Sequence, residues 1–311
     1  MNLSIVIVNW NTRSLLRACL RSLEAAGDLA GIEHEILVID NASADGSAEM
    51  TRQEFPRVTL IANESNLGYA AATNQGFAAA RGESILLLNP DTEVPPGALR
   101  VLMETLAAHP DAAAVAPRLV DPDGTVQRSV RGFPAPWALL AELSGLARLF
   151  PRCRCLGAYR MRYWNHDDER RVDQPMASCL LIRREALEAV GPMDEEFPIF
   201  GNDADWCYRA WAAGWSIYFT PRAEIVHHGG ASTSQVRRAM FRETERGLTH
   251  FYRKHYRGRA GVLGYLLALA AIHAGTAARI LVFDARAALG KSPAAPPARE
   301  AVERKKERAS P

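Results

Sequence analysis

The sequence predicts an α/β fold built on a mostly parallel, Rossmann-like sheet flanked by helices, and three observations carry that prediction. Strand-like and helix-like segments alternate through about the first hundred residues, the strand-like segments are continuous apolar runs, and polar residues gather directly after them. Alternation of this kind with unbroken apolar strands marks a parallel sheet covered on both faces. With 48% hydrophobic and 23% charged residues the composition is that of an ordinary globular chain, which excludes a fibrous or largely disordered protein.

LSIVIVN, residues 3–9, is a short β-branched run, and a helix follows over 12–25. HEILVID (34–40) and SAEMTRQEF (47–55) form the second strand and helix. VTLIAN (58–63) and the alanine-rich stretch 68–80 form the third pair. SILLLN (84–89) is the fourth strand, and Pro95-Pro96-Gly97 opens a helix at Ala98. VDPDGTVQRSV (120–130) reads as a hairpin turning at Asp123-Gly124. Residues 134–166, with Trp137, Trp164 and several arginines, read as an irregular loop over the site. ASCLLIRREALEAVG (177–191) returns to strand and helix, and the domain closes by His228 without an internal linker.

The expected organisation is an α/β domain over 1–235, a helical extension over 236–290 and a disordered charged tail over 291–311. The apolar run over 261–290 is broken by His273, Arg279 and Asp284, and its cleanest part, 262–278, is near the lower limit for a membrane span. An interfacial amphipathic helix pair is therefore expected there rather than a spanning helix.

The net charge of +2 hides a split. Residues 231–311 carry 16 Lys/Arg against 6 Asp/Glu, leaving 21 and 29 before them. An acidic body with a basic end points to an anionic partner. Because the basic residues interleave with apolar ones, the expected partner is a membrane surface and not nucleic acid. The N-terminus MNLSIVIVNW reads as a strand and not a signal peptide, so a cytoplasmic protein, peripheral on the inner face of the cell membrane, is expected. The five cysteines, Cys19, Cys153, Cys155, Cys179 and Cys207, are scattered, which argues against a disulfide framework. Cys153 and Cys155 have no second pair at zinc-site spacing.

In open α/β sheets ligands bind beyond the C-terminal ends of the strands. Asn9 and Asn11 follow the first strand, Asp40 and Asn41 the second, Asn89 and Asp91 the fourth. Each has an ordinary reading as well: Asn89-Pro90-Asp91-Thr92 favours a turn, and Ser43 or Asp45 suits a helix cap after Asp40. Two acidic strand ends in one parallel sheet are harder to dismiss, because hard cations and phosphates are held by such oxygens. In Asn202-Asp203-Ala204-Asp205-Trp206, Asp203 either caps the following helix or serves as a base. His227-His228 after AEIV is either structural or a source of a metal ligand.

SIVIVNWN, VIDNASADGS, NLGYAAATNQGF, LLLNPDTEVPPGAL, LIRREALEAVGPMDEEF, NDADWCYRA and AEIVHHGGAST follow one another in the order seen in family 2 glycosyltransferases of the GT-A fold. Residues 1–234 especially resemble the bacterial rhamnosyltransferase-like branch that builds cell-wall and surface polysaccharides. The resemblance implies inverting transfer from a nucleotide-diphosphate sugar, with Mg²⁺ or Mn²⁺ as cofactor. dTDP-rhamnose is the implied donor, with a UDP sugar as its competitor, and the acceptor is lipid-linked or an oligosaccharide. Position by position, it implies that Asp40 contacts the nucleobase and that Asn66, Gly68 and Asn74 line the nucleoside pocket, with Asn9 and Asn11 on the same donor side. Asp91 matches the last acid of the metal-binding DxD motif, with Asn89 where many relatives have the first. Asp203 matches the catalytic base, and His227, ahead of His228, matches a metal ligand or diphosphate contact. Two departures stand out: Asn202 replaces a Glu, and Ala177 stands where relatives often have Gly.

Two other classes fit part of the pattern. A nucleotidyltransferase would show a Gly-rich basic loop after its first strand, where this chain has VNWNTRS. A non-catalytic nucleotide-sugar binding module would keep Asp40 and Asp91 without needing Asp203 or His227.

Overall fold

Apolar side chains on both faces force β1 (Leu3–Asn9) into the middle of the protein. Leu3, Ile5 and Ile7 point into one core and Val6 into the other. The computed structural model describes residues 1–197, 199–229, 237–258 and 261–289. The tail expected to be disordered, 291–311, lies outside the described residues. After β1 come α1 (Arg13–Ala25), β2 (His34–Asp40), α2 (Ser47–Glu54), β3 (Thr59–Ala62), α3 (Tyr69–Ala79), β4 (Ser84–Leu88), β5 (Thr92–Glu93) and α4 (Ala98–Ala108). The middle of the chain forms β6 (Ala112–Val120), β7 (Val130–Arg131), α5 (Pro136–Leu143), α6 (Leu146–Leu149), β8 (Arg170–Arg171) and β9 (Gln174–Pro175). It ends in β10 (Cys179–Arg183), α7 (Arg184–Val190), α8 (Asn202–Ala212), β11 (Ser216–His227), α9 (Arg237–His255) and α10 (Val262–Ala288).

The main sheet has the order β3-β2-β1-β4-β10-β6-β11-β5, with β8 paired to β11. The pairs β1–β2, β1–β4, β2–β3 and β6–β11 are parallel, whereas β10 runs antiparallel to both β4 and β6. Each central strand feeds two cores through its two-residue alternation: Leu86 and Leu88 of β4 enter the first, Ile85 and Leu87 the second. On the first face α1 buries Leu16, Cys19, Leu20 and Leu23, a helical stripe. On the second, α3 lies so close that a Cβ at Gly76 would stand 2.3 Å from Val6 Cγ1, so its small residues are a packing requirement.

Residues 134–166 differ from the expected irregular loop, because they contain α5 and α6. Pro136 starts α5, where its fixed φ and missing N–H suit a first helical turn. The C-terminal helices pack back on the body. Phe251 and Tyr252 of α9 are buried with Leu139 and Phe197, and the Tyr252 hydroxyl donates to Pro134 O at 2.6 Å. Ala268 and Ile272 of α10 join the same core, while Val262, Leu263, Leu266, Leu267, Leu281 and Val282 stay exposed. One ion cluster fixes α9 to α8: Asp205 takes Arg209 Nε at 2.8 Å, Lys254 Nζ at 2.9 Å and His255 Nε2 at 2.7 Å.

Candidate active site

The ends of β1 and β2 carry a closed polar network. Asn9 Nδ2 donates to Asp40 Oδ1 at 2.8 Å and Ser43 Oγ at 3.1 Å, while its Oδ1 accepts from Thr12 Oγ1 at 2.6 Å. Asp40 Oδ2 accepts from the Ser43 N–H at 3.0 Å, so both carboxylate oxygens of this buried residue are already engaged. Asn11, with φ 53°, accepts at Oδ1 from the Ala44 N–H at 2.8 Å. Left-handed backbone at an Asn is tolerated because its short amide bonds locally. Asn41 Nδ2 reaches Asn66 Oδ1 at 2.8 Å, and the same oxygen takes the Gly68 N–H at 2.9 Å, shaping the entry to α3. The network presets the two strand ends and the loop before α3 as one rigid rim. Asn74, on α3, has other partners. Its amide donates to Met193 O and accepts from Met193 N–H, both at 2.9 Å, and so pins the segment after α7 against α3.

The second group lies across the sheet. β5 pairs with β11, putting His227 opposite Thr92, and the His228 N–H donates to Asp91 O at 2.8 Å. This two-residue ladder brings Asp91 Oδ1 to 3.5 Å from His227 Nε2, with both side chains buried. His227 Nδ1 lies 2.8 Å from Gln127 Oε1. His228 is engaged elsewhere, with Nε2 at 2.8 Å from Glu93 Oε1. A carboxylate oxygen and an imidazole nitrogen at this separation suit one divalent cation. Two ligands each about 2.1 Å from an ion span about 3 Å at a right angle and more as the angle opens. Among the described residues no group of three or more His, Cys, Asp or Glu side chains is placed to hold an ion. Asn89 adds a neutral wall: its N–H donates to Ser178 O at 2.9 Å and its Nδ2 to Ser178 Oγ at 3.2 Å. Cys19 sits beneath this loop, and burial pushes its thiol up to about 12, which makes it inert.

The third group is Asp203, in the first turn of α8. Burial pushes its carboxyl above the usual range, against the pull of hydrogen bonds from the Ala204 and Ala177 backbone and the charge of Arg131. Its Oδ1 accepts from the Ala204 N–H at 2.8 Å, and its own N–H donates to Asn202 Oδ1 at 2.7 Å. Asn202, nearly fully buried, thus bonds the first turn of α8. Tyr69 opens α3. Its phenol is raised first by burial and then by the charges of Asp203 and Asp91, so both carboxylates act on one side chain.

Tyr69, Gln127 and Arg131 are absent from the residues singled out in the sequence. Gln127 and Arg131 fall in a segment that announces itself only as a hairpin and its continuation, and a tyrosine at a helix start carries no chemical signature.

Residues 4–191 match the family model described as Glycosyl transferase family 2. The chain belongs to that family. An N-acetylglucosaminyl-diphospho-decaprenol L-rhamnosyltransferase of Mycobacterium tuberculosis is 32% identical over 245 residues, covering 75% of this chain and 78% of the relative. Among solved structures, the mannosyltransferase PcManGT from Pyrobaculum calidifontis, in complex with GDP-Man and Mn²⁺, matches with a TM-score of 0.56 at 18% identity. It covers 93% of this chain and 80% of that one. The S. aureus TarS 1-349 structure matches with a TM-score of 0.54 at 15% identity, covering 90% and 82%. The architecture of this family 2 glycosyltransferase is therefore the GT-A fold, as its sequence motifs imply.

Proposed function

We propose that this glycosyltransferase moves rhamnose from dTDP-rhamnose, or failing that a sugar from a UDP donor, onto a lipid-linked or oligosaccharide acceptor, with inversion at the anomeric carbon, in cell-surface glycan synthesis. One observation carries the chemistry: Asp91 Oδ1 and His227 Nε2 face each other 3.5 Å apart, both buried, as two ligands of one cation would. The mycobacterial relative, an N-acetylglucosaminyl-diphospho-decaprenol L-rhamnosyltransferase, supports rhamnose and a lipid-linked acceptor.

The Asn9–Asp40 network and the Asn66–Gly68 loop form the nucleoside side of the donor site. Asp91 and His227 hold Mg²⁺ or Mn²⁺, which when bound supplies positive charge against the charge developing on the leaving diphosphate. Asp203 accepts the proton of the acceptor hydroxyl as that oxygen bonds to the anomeric carbon and the bond to the diphosphate oxygen breaks. A raised carboxyl pKa suits that task, because a stronger base takes a hydroxyl proton more readily. Release of free nucleoside diphosphate from a panel of dTDP- and UDP-sugars, with and without Mn²⁺ and with lipid-linked acceptors, tests the reading. Absence of transfer from every donor on the panel sinks it.

The place of action follows from the C-terminal helices. Val262–Arg286 is long and apolar enough to cross a membrane by length and composition alone. Its Ala268–Ile272 face, however, is packed against the body, which favours a helix lying along a membrane surface on the cytoplasmic side. Leu146, Leu149 and Phe150 are exposed beside Arg148, Arg152 and Arg154 on the neighbouring α6 segment, an amphipathic combination suited to anionic lipid. Removing the residues after Gly258 abolishes partition to anionic vesicles on this reading, and unchanged partition refutes it.

A further inference from the structure

We propose that Gln127 is a positioning residue that locks His227 in the tautomer able to bind a metal ion. This rests on the reading of Asp91 and His227 as the ion's protein ligands. Gln127 lies on the return arm of the hairpin after β6, where its N–H donates to Leu119 O at 2.8 Å. Its side-chain nitrogen, Nε2, stands 2.7 Å from His227 O and 2.7 Å from Asp121 Oδ1. A backbone carbonyl can only accept, so the amide nitrogen must face it and the amide orientation is fixed by chemistry. Oε1 is then the atom at 2.8 Å from His227 Nδ1, and an amide oxygen can only accept. His227 Nδ1 must therefore carry the proton.

The consequence falls on the other side of the ring. In the neutral imidazole a protonated Nδ1 leaves Nε2 with its lone pair, and Nε2 faces Asp91 Oδ1 at 3.5 Å. A lone pair and a carboxylate oxygen facing each other at that distance repel in a buried setting, unless a proton or a metal ion lies between them. Gln127 therefore holds in place an arrangement that is unfavourable alone and complementary to a divalent ion. Ring orientation and ligand basicity are commonly set in this way by the hydrogen bond on the nitrogen opposite the metal. Glutamine suits the position because it donates to one backbone oxygen and one carboxylate while accepting from the ring. Glutamate offers the acceptor without the donors, and methionine neither.

The test uses the full chain. Nitrogen-15 NMR of the histidine rings above neutral pH, without metal, reads the His227 tautomer directly, with His227→Gln assigning the signal. The expected result is the Nδ1–H form in the wild type and a mixture of tautomers in Gln127→Met. Free Mn²⁺ measured by electron paramagnetic resonance, with UDP or dTDP present, reads ion affinity independently of turnover. Gln127→Met should weaken Mn²⁺ binding by about 10- to 100-fold. An Nε2–H ring in the wild type overturns the proposal whatever the variant does, as does a Gln127→Met affinity within twofold of wild type. If wild type and His227→Gln bind Mn²⁺ alike, it is the assignment of His227 as a ligand that fails, and the NMR result then reports separately on the lock.

Discussion

Asp205 stands two residues beyond the proposed base, with its side chain fully buried. Burial alone would raise its carboxyl, but hydrogen bonds from His255, Lys254 and Arg209 outweigh that and hold it at about 2, against 3.8 for a free aspartate. A carboxylate whose pKa falls on folding stabilises the fold above its unfolded value. That stability is lost as pH falls through the folded value, here between about pH 4 and pH 2. A gap of nearly two units corresponds to about 2.5 kcal/mol, and roughly half of it is gone by about pH 3. Removing one partner from a buried charge cluster gives an independent figure of about 3–5 kcal/mol. Asp205→Asn should therefore lower stability at neutral pH by about 2–5 kcal/mol. The measurement is urea unfolding of both proteins at neutral pH and again near pH 3, because other carboxylates titrate in both and cancel in the difference. Equal midpoints at neutral pH, or a difference that does not shrink on acidification, would refute the reasoning.

Asp203→Asn should abolish transfer while leaving nucleotide binding, followed by calorimetry with UDP and dTDP, within about threefold. Because the base works only when deprotonated and burial raises its carboxyl, kcat/KM should fall as pH drops through a value above the ordinary carboxylate range. A fall only below about pH 4 would count against that assignment. Asp91→Ala should lose both transfer and Mn²⁺ binding in the presence of nucleoside diphosphate, and chelation of the wild type should reproduce the loss of transfer. Gly82→Ala would place a Cβ 2.5 Å from Ser4 N and 2.6 Å from Leu3 C, both backbone atoms of β1. It should destabilise by about 3 kcal/mol, read from thermal unfolding.

The strands built from Leu, Ile and Val were legible because their side chains serve two cores at once, which makes them continuous apolar runs. β6 escaped notice for a physical reason. Ala112, Ala113, Ala114 and Ala116 are poor strand formers in isolation, and Pro117 cannot donate to a ladder. The pairing tolerates it where β11 shifts register between Thr220 and Glu224. In the site, the carboxylates were legible as residue types at strand and helix ends; the company of Asp91 and His227 followed only from the family resemblance, and Gln127 from nothing in the sequence. His227 and Gln127 lie 100 residues apart, and Asp91 meets His227 only through a two-residue ladder. Asn74, which the resemblance placed in the nucleoside pocket, has partners that no local pattern announces: its amide bonds the Met193 backbone, 119 residues away.

The reversal of β10 has an effect on how the enzyme can be divided. Because this strand runs against β4, it begins where its neighbour ends, and Ser178 meets Asn89 at the rim of the site. Every proposed donor-side group comes from residues 9–91 and every group on the far side from 127–228, so the two faces of the cleft are encoded in separate stretches of chain. They meet along the antiparallel β4–β10 pairing and through side chains on both sides of it: Asn89 with Ser178, Asn74 with Met193, Arg184 with Gly82 O and Asp91 with His227. A recombinant joined just after β5 would inherit its nucleotide preference from one parent and its acceptor preference from the other, provided those contacts were kept.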